Sequence, residues 1–285
     1  MKKFSHLGLV GWPLEHSFSP ALHQAALRSL GIDGQYKLHA IPPFPEGRQL
    51  LSAILTDVRQ GIIQGLNITI PHKVNIISQL DSLTPAAQTI GAVNTIYMQR
   101  GKLNGDNTDA PGFWTDLSRY LGSKKIIQSN ALILGAGGSS RAIIFALLSR
   151  GWSVTVAARN LAQAAKLCEH FSLPGNSLAA VALQKSEIEN LPSSPSLIVN
   201  CTPVGMFPKS DHSPWPKDLP LPSKSVVYDL VYNPRQTLLV RQALEEGLTA
   251  ASGLGMLIEQ AALSLEHWLD VKAPRSAMIA HIADI

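Results

Sequence analysis

Residues 131–151 read ALILGAGGSSRAIIFALLSRG, and this stretch predicts the fold of the C-terminal half of the chain. Its first four residues form an apolar run typical of a buried strand, and a helix pattern follows the glycines and ends at Gly151. Gly135 permits a tight turn, and Gly137 lets the backbone approach a pyrophosphate. Ser140 is a small residue at the position where a third glycine often packs helix against strand. A glycine turn between a strand and a helix predicts a dinucleotide site at the N-terminus of that helix.

The next predicted strand, within WSVTVAARN at 152–160, indicates which dinucleotide binds. About 20 residues beyond the glycine motif, an NAD site carries an acidic residue that binds the ribose hydroxyls. This chain has Ala158, Arg159 and Asn160 there instead. An acid would repel a 2′-phosphate, whereas Arg159 can pair with one through two hydrogen bonds. The sequence therefore favours NADP(H) as the cofactor.

Strand and helix patterns alternate along the chain. Pro20 and Gly31 mark a helix over 19–31 with Ser19 as its N-cap, and two strands joined by an Arg100-Gly101 turn are expected within 91–110. Further helices are predicted at 47–59, 110–122, 161–171, 236–247 and 254–269, and further strands within 61–70, 196–203 and 225–232. The proline-rich interval 203–222 is expected to be an ordered surface loop. The alternation predicts an α/β protein with parallel sheets covered by helices on both faces.

Length and composition exclude several classes of protein. The 285 residues suffice for two domains, and a hydrophobic content of 45% with 15% charged residues indicates a globular protein. The net charge of +4 comes without a basic run, so no nucleic-acid partner is predicted. Cys168 and Cys201 give neither a disulfide framework nor metal-ligand spacing, and no metal is expected. The short, broken apolar start and the lack of a long apolar run predict a cytoplasmic protein without a membrane span.

Several polar residues of the N-terminal half are ambiguous when each is taken alone. Lys73 ends the segment NITIPHK just beyond a predicted strand, and a lysine at such a place is usually solvated. Asp109 could cap the helix predicted from residue 110. Ser17 and Ser19 could likewise serve only to cap the helix predicted from residue 19.

The combination of these residues indicates chemistry. Asn67, Thr69, Lys73, Asn94 and Asp109 lie at or just beyond predicted strand ends, where open α/β sheets bind ligands. A hydride that reaches a ketone carbon leaves negative charge on the oxygen, and an ammonium group can give that oxygen a proton. An aspartate beside the amine would orient it and tune its protonation. Lys73 and Asp109 are therefore the candidate catalytic pair of a carbonyl reductase with a Rossmann half.

Eight segments resemble the motif series of the shikimate dehydrogenase family, in that family's order and spacing. They are GWPLEHSFSP at 11–20, NITIPHK at 67–73, GAVNT at 91–95, GDNTDAPG at 105–112, GAGGSSRA at 135–142, NCTPVGM at 200–206, YDLVYNP at 228–234 and GLGMLIEQA at 253–261. The resemblance implies a reversible, NADP-linked reduction of 3-dehydroshikimate to shikimate, a step of aromatic amino-acid biosynthesis.

The resemblance also implies roles for individual residues. Lys73 and Asp109 would form the catalytic pair and contact the substrate, whose ring hydroxyls Asn94, Asp109 and Gln260 would hold. The substrate carboxylate would be bound by Ser17, Ser19, Thr69 and Tyr232. The residues implied to bind NADP(H) are Gly135, Ala136, Gly137, Gly138, Ser139, Ala158, Arg159, Asn160 and Gln163, with Leu230 and Gly253 near the nicotinamide.

The family fold has two α/β domains, and its final helices return to the first. Applied to this chain, it implies a substrate domain of residues 1–109 and 253–285 and a Rossmann-type NADP-binding domain of residues 110–252, in a monomer or homodimer. The chain departs from the family twice, because Ala158 replaces a frequent asparagine and Gln163 replaces a second arginine. The clamp on the 2′-phosphate is therefore expected to be weaker than is usual in the family.

Two other functions compete with this interpretation. A quinate/shikimate dehydrogenase, often NAD-linked, would share the fold and the catalytic pair, but Ser17 and Ser19 and the missing acid after the second Rossmann strand favour shikimate and NADP. A non-catalytic, ligand-sensing relative would need neither a proton donor nor its orienting acid. The retention of Lys73 and Asp109 argues against that function.

Overall fold

The structure, a computed structural model, describes residues 4–121 and 129–283. The chain divides into two compact units, one of Met1–Gly112 with Leu257–Ile285 and the other of Phe113–Met256. Within the described residues, each unit carries one six-stranded sheet. The α/β class predicted from the sequence is confirmed, whereas the assignment of substrate and NADP(H) to separate domains stays a prediction.

The strands and helices follow one another along both units. The strands are β1 (Ser5–Gly11), β2 (Gly34–Ala40), β3 (Gly65–Ile68), β4 (Ser82–Leu83), β5 (Thr95–Gln99), β6 (Lys102–Asp106), β7 (Asn130–Leu134), β8 (Ser153–Ala158), β9 (Leu178–Ala182), β10 (Leu197–Asn200), β11 (Val226–Asp229) and β12 (Thr249–Ser252). The helices are α1 (Ser19–Leu30), α2 (Arg48–Arg59), α3 (Pro85–Ile90), α4 (Asp109–Leu121), α5 (Gly138–Leu148), α6 (Leu161–His170), α7 (Lys185–Glu189), α8 (Leu238–Glu245), α9 (Leu254–Leu269) and α10 (Arg275–Ala283), with a 3₁₀ helix at Asn75–Gln79.

The sheet of the first unit is mixed, in the order β2-β1-β3-β5-β6-β4. Strands β2, β1 and β3 run parallel, so their carboxyl ends meet at one edge. Strand β5 runs antiparallel to β3 and pairs with β6 in a hairpin. Its turn residues Arg100 and Gly101 both have positive φ, which suits a two-residue hairpin turn. The predicted hairpin is confirmed, although its antiparallel pairing makes this sheet less uniform than predicted.

Helix α9 packs closely against the first sheet near its centre. The Trp268 indole donates a hydrogen bond to the Ile96 carbonyl at 3.0 Å. A Cβ on Gly65 of β3 would lie 2.1 Å from the same indole, so only glycine permits this approach. The close contact fixes the helix that carries Gln260 against β3, which carries Asn67, and β5, which directly follows Asn94.

The sheet of the second unit is parallel throughout its described strands, in the order β12-β11-β10-β7-β8-β9. The strand order reverses between β7 and β10, and open parallel sheets bind ligands outside the strand ends at such a switch point. The glycine turn at 135–137 follows β7 directly and leads into α5. The predicted strand, turn and helix are therefore present in the order that a dinucleotide site requires.

Several sequence-based predictions need correction. Helix α1 has Phe18 rather than Ser19 as its N-cap, and Ser19 is its first residue. Strand β3 ends at Ile68, before the predicted limit of residue 70, because the chain turns toward a proline. The interval 203–222 is more than a surface loop, since Trp215, Leu219 and Leu221 are buried in the core of the second unit. The last residue of the helix predicted at 110–122 lies outside the described residues.

The sequence analysis missed the short elements β4, α3 and α7 and three further elements, β9, β12 and α10. Strands β9 (LAAVA) and β12 (TAAS) are rich in alanine, which has low strand propensity, and their place in the sheet is set by pairing with β8 and β11. Helix α10 follows α9 after a short break and buries Met278 and Ile282. Packing against neighbours, rather than local propensity, determines the last three.

Candidate active site

Lys73 and Asp109 form a buried ion pair in the first unit. The Lys73 Nζ donates to the Asp109 Oδ2 at 2.7 Å, and the two residues are only 8% and 5% exposed. Lys73 lies in the turn after β3, where its carbonyl accepts a hydrogen bond from the Val93 N–H at 2.8 Å. Desolvation offsets most of the attraction in a buried ion pair, so stability alone is a weak reason to place one there.

The structure shows whether Lys73 is a solvated lysine and whether Asp109 is only a helix cap. Lys73 is not a solvated lysine, because it is buried against a carboxylate. The Asp109 carboxylate accepts hydrogen bonds from Lys73 and, at 2.9 Å, from the Asn94 Nδ2. The Ala110 N–H at the start of α4 is bonded instead by the Asn107 side chain at 3.2 Å.

Two amide side chains complete this cluster. The Asn94 Nδ2, just before β5, donates to the Asp109 Oδ1 and to the Gln260 Oε1, the latter at 3.3 Å. Gln260 lies on α9, 166 positions along the chain from Asn94. The fold thus brings together Lys73, Asn94, Asp109 and Gln260, four of the residues predicted to contact a substrate.

Three of the four predicted carboxylate-binding hydroxyls follow the neighbouring strands β1 and β3 of the first sheet. Ser17 and Ser19 follow β1, and the Ser17 hydroxyl accepts a hydrogen bond from the Ser19 N–H at 3.3 Å. Thr69 follows β3, and its N–H donates to the Val10 carbonyl at 2.9 Å. Tyr232 follows β11 in the second unit. Their role in binding a carboxylate stays a prediction.

The glycine turn of the second unit, predicted to bind the dinucleotide phosphates, is tight and internally hydrogen-bonded. Gly135 has a φ of +103°, and a Cβ there would lie 2.8 Å from the Thr202 methyl group. The buried Ser140 hydroxyl donates to the Gly135 carbonyl at 2.8 Å and accepts from the Gly137 N–H at 3.1 Å. Ser140 therefore ties the turn to α5, which explains a serine at the position of the third glycine.

The residues predicted to face the 2′-phosphate lie at the start of α6. Arg159 is exposed directly after β8, and the Asn160 side chain caps α6 by accepting from the Gln163 N–H at 3.1 Å. The Gln163 Nε2 donates to the Ala136 carbonyl at 2.9 Å. Gln163 thus links α6 to the glycine turn, where the family often has an arginine.

Leu230 and Gly253, the predicted nicotinamide contacts, lie against each other. A Cβ on Gly253 would be 2.3 Å from the Leu230 carbonyl oxygen. The Gly253 N–H donates to the Val231 carbonyl at 3.3 Å. Only glycine allows the chain to pass so close to the end of β11.

Comparison with known proteins identifies the family. Residues 9–96 match the shikimate dehydrogenase substrate binding domain, and residues 253–282 match the shikimate 5′-dehydrogenase C-terminal domain. The shikimate dehydrogenase (NADP(+)) of Shouchella clausii is 38% identical over 271 residues, which cover 95% of each chain. This chain belongs to the shikimate dehydrogenase family.

Solved structures of relatives share the whole fold. Shikimate 5-dehydrogenase from Thermus thermophilus, in complex with NADP(H) and shikimate, is 37% identical with a TM-score of 0.82, and the match covers 98% of this chain and 99% of that one. Quinate dehydrogenase from Corynebacterium glutamicum, in complex with NAD, is 27% identical with a TM-score of 0.86, and the match covers 99% and 100%. Both proteins share the two-domain Rossmann-type architecture with this shikimate dehydrogenase family member.

Sequence reasoning missed the buried side chains behind the Lys73–Asp109 pair. Thr95, Thr108 and Ser264 are buried and bond to one another, and the two threonines also bond to Asn94. One signal was available, because Ser264 is a polar residue on the apolar face of α9. Among the described residues, no group of histidine, cysteine and acidic side chains could hold a metal ion, and no helix is long and apolar enough to span a membrane.

Asp229 is a buried carboxyl group at the end of β11 that faces neutral donors. Its oxygens accept hydrogen bonds from the Asn200 Nδ2 at 2.8 Å, the Val231 N–H at 3.0 Å and the Thr237 hydroxyl at 2.6 Å. Burial raises the pKa of Asp229 to about 6, and these hydrogen bonds offset only part of that effect. The carboxyl group therefore titrates far closer to neutrality than an exposed aspartate.

We expect the free energy of unfolding of Asp229→Asn, taken relative to that of wild type, to be higher at pH 7 than at pH 5. The pKa of Asp229 is about 6 in the folded protein and 3.8 as its ordinary value. Between these two pH values the folded wild-type protein keeps Asp229 protonated while the unfolded chain does not. The free energy of unfolding of wild type therefore falls as the pH rises from one value to the other. This contribution changes by about 1.4 kcal/mol between pH 5 and pH 7, and the variant lacks it. Urea unfolding at both pH values measures the difference, and parallel pH profiles for the two proteins would contradict the prediction.

Proposed function

We propose that this chain catalyses the reversible, NADPH-linked reduction of 3-dehydroshikimate to shikimate in aromatic amino-acid biosynthesis. The chain is an NADP-dependent oxidoreductase that acts on a CH–OH group. The observation that carries the proposal is the buried Lys73–Asp109 pair, with Asn94 and Gln260 beside it. A cation held by a carboxylate supplies a proton for a carbonyl oxygen, and the flanking amides can bind neighbouring hydroxyl groups.

The second unit fits a dinucleotide phosphate. A Cβ on Gly137 would point into open space among the described residues, so a phosphate group can approach the backbone there. Helix α5 begins at Gly138, and the free N–H groups and dipole of a helix N-terminus favour a negatively charged ligand. Arg159 follows β8 in the place of the usual acid and is exposed to meet a 2′-phosphate. NADPH, when bound, supplies the hydride that reduces the carbonyl carbon.

Residues of the first unit would handle the proton. The Lys73 Nζ would donate a proton to the substrate oxygen during reduction and take it back during oxidation. The Asp109 Oδ2, at 2.7 Å, holds the amine in position. Ser17, Ser19 and Thr69 would bind the substrate carboxylate through hydroxyl groups, with Tyr232 as a fourth donor.

A quinate/shikimate dehydrogenase that uses NAD is the second candidate function. It is favoured by Gln163, which leaves Arg159 without the second arginine that is frequent in the family. The same catalytic pair would serve quinate, which has one additional hydroxyl group. A non-catalytic ligand-sensing role is the third candidate, and it would give binding without turnover. The proposed enzyme acts on a small molecule as a cytoplasmic monomer or homodimer.

One assay separates these functions. Absorbance at the NAD(P)H band is followed while shikimate and quinate are each crossed with NADP and NAD. We expect the highest kcat/KM with shikimate and NADP. A higher value with quinate and NAD would establish the second candidate. Shikimate binding by calorimetry, without turnover of either acid, would establish the non-catalytic role.

A further inference from the structure

The Ser264 hydroxyl lies at the centre of a buried network behind the catalytic pair. Ser264, on α9, is fully buried. Its Oγ accepts a hydrogen bond from the Asn67 Nδ2 at 2.9 Å and donates to the Gln260 carbonyl at 2.9 Å. The Thr95 and Thr108 hydroxyls lie 2.7 and 3.1 Å from the same oxygen. One hydroxyl group thus joins β3, the start of β5, the segment before α4, and α9.

The same network determines the orientation of the Asn94 amide. The Thr108 backbone N–H, which can only donate, lies 2.7 Å from the Asn94 Oδ1. The Thr95 hydroxyl lies 3.1 Å from the same oxygen. The Asn94 Nδ2 must therefore face the Thr108 hydroxyl and the Asp109 carboxylate, both at 2.9 Å. A flipped amide would set its oxygen against the Asp109 carboxylate and leave the Thr108 N–H without its acceptor.

Ser264 also sets the position of Gln260, one helical turn earlier on α9. The Gln260 Oε1 accepts from the Asn94 Nδ2 at 3.3 Å, and its Nε2 donates to the Leu257 carbonyl at 2.9 Å. Asn67, the partner of Ser264 on β3, is 197 positions away along the chain. The hydrogen bond between them attaches α9 to the sheet at the turn that carries Gln260.

We propose that Ser264 is a positioning residue for the reaction of this enzyme. Its hydroxyl group holds α9 in register with Asn67, Thr95 and Thr108, and so keeps Asn94 and Gln260 aligned beside Asp109. This inference rests on the proposed function, because the aligned groups are those that would bind the substrate ring. A purely structural role for Ser264 would change stability and leave substrate affinity unaffected.

The first test compares Ser264→Ala and Ser264→Cys with wild type. Loss of this buried hydrogen-bonding group should raise the KM for shikimate and lower kcat/KM about 10-fold or more. The KM for NADP should stay unchanged, because the predicted cofactor residues belong to the second unit. Ser225→Ala is the matched control, since it removes an equally buried hydroxyl that donates to the Pro195 carbonyl in the second unit. That control should keep its kcat/KM for shikimate.

A double-mutant cycle with Gln260→Ala provides the second test. If Ser264 acts through Gln260, the loss caused by Ser264→Ala should shrink in the Gln260→Ala background. Additive effects, or an unchanged KM for shikimate in folded Ser264→Ala, would overturn the inference. If Ser264→Ala does not fold, Thr95→Val removes the partner at 2.7 Å with a side chain of similar shape, and it should raise the same KM.

The proposed function can fail separately from this inference. Wild-type protein that oxidises neither shikimate nor quinate would overturn the proposed function, and the positioning role would fall with it. Wild-type protein that oxidises shikimate, together with additive variants, would overturn the positioning role alone.

Discussion

Lys73→Ala should lower kcat for shikimate oxidation by about three orders of magnitude, with a smaller change in the KM for shikimate. The Lys73 Nζ is the buried group that we propose to carry the proton, and its 2.7 Å contact with Asp109 holds it in place. A methyl group can neither donate nor accept that proton. Steady-state kinetics in both directions, followed at the NADPH band, measures the effect.

Lys73→Ala also leaves the Asp109 carboxylate buried without its cation, which is destabilising in itself. Lys73→Arg separates the two effects, because a guanidinium group keeps the positive charge but does not release a proton at neutral pH. This variant should fold and still lose most of its kcat. Lys37→Ala, which removes an exposed lysine of β2 in the same unit, is the control for general effects. A folded Lys73→Arg protein with near-normal kcat would refute the proton-transfer role.

The features that were predictable from sequence depend on local chemistry. The helix predicted over 254–269 is α9, residue for residue, because its apolar residues recur at helical spacing directly after Gly253. The Arg100-Gly101 turn was evident because Gly101 readily adopts the positive φ that a two-residue hairpin turn requires. The glycine turn at 135–137 was recognised because strand, turn and helix must occur together at a dinucleotide site.

The features that were not predictable depend on contacts between distant parts of the chain. Nothing near Ser264 indicates that it bonds to Asn67. Trp215 looked like a residue of a proline-rich surface loop, yet it is buried and donates to the Leu219 carbonyl at 2.8 Å. Ser19 was expected to be the N-cap of α1, but Phe18 takes that position. Local propensity determines which elements form, whereas packing determines which polar groups meet.

Compared with the arginine that is frequent in the family, Gln163 lacks a positive charge but makes a hydrogen bond to the glycine turn. An arginine here would add a second cation beside a 2′-phosphate, and Gln163 does not provide that charge. Its amide instead bonds the Ala136 carbonyl and so fastens α6 to the glycine turn. The recognition of the 2′-phosphate by charge therefore depends more heavily on Arg159. Loss of Arg159 should consequently have a large effect on cofactor choice.

Arg159→Ala should raise the KM for NADP about 10- to 100-fold, because hydrogen bonds to a charged group are each worth about 1.5–3 kcal/mol. The KM for NAD should change little, since NAD has no 2′-phosphate to pair with the guanidinium group. Initial rates with saturating shikimate, measured against each cofactor in turn, give both constants. Arg241→Ala, which removes an exposed arginine of α8 in the same unit, is the matched control and should leave both constants unchanged. Equal increases in the KM for NADP and the KM for NAD would show that Arg159 contributes to cofactor binding without recognising the 2′-phosphate. The cofactor preference would then depend on other residues.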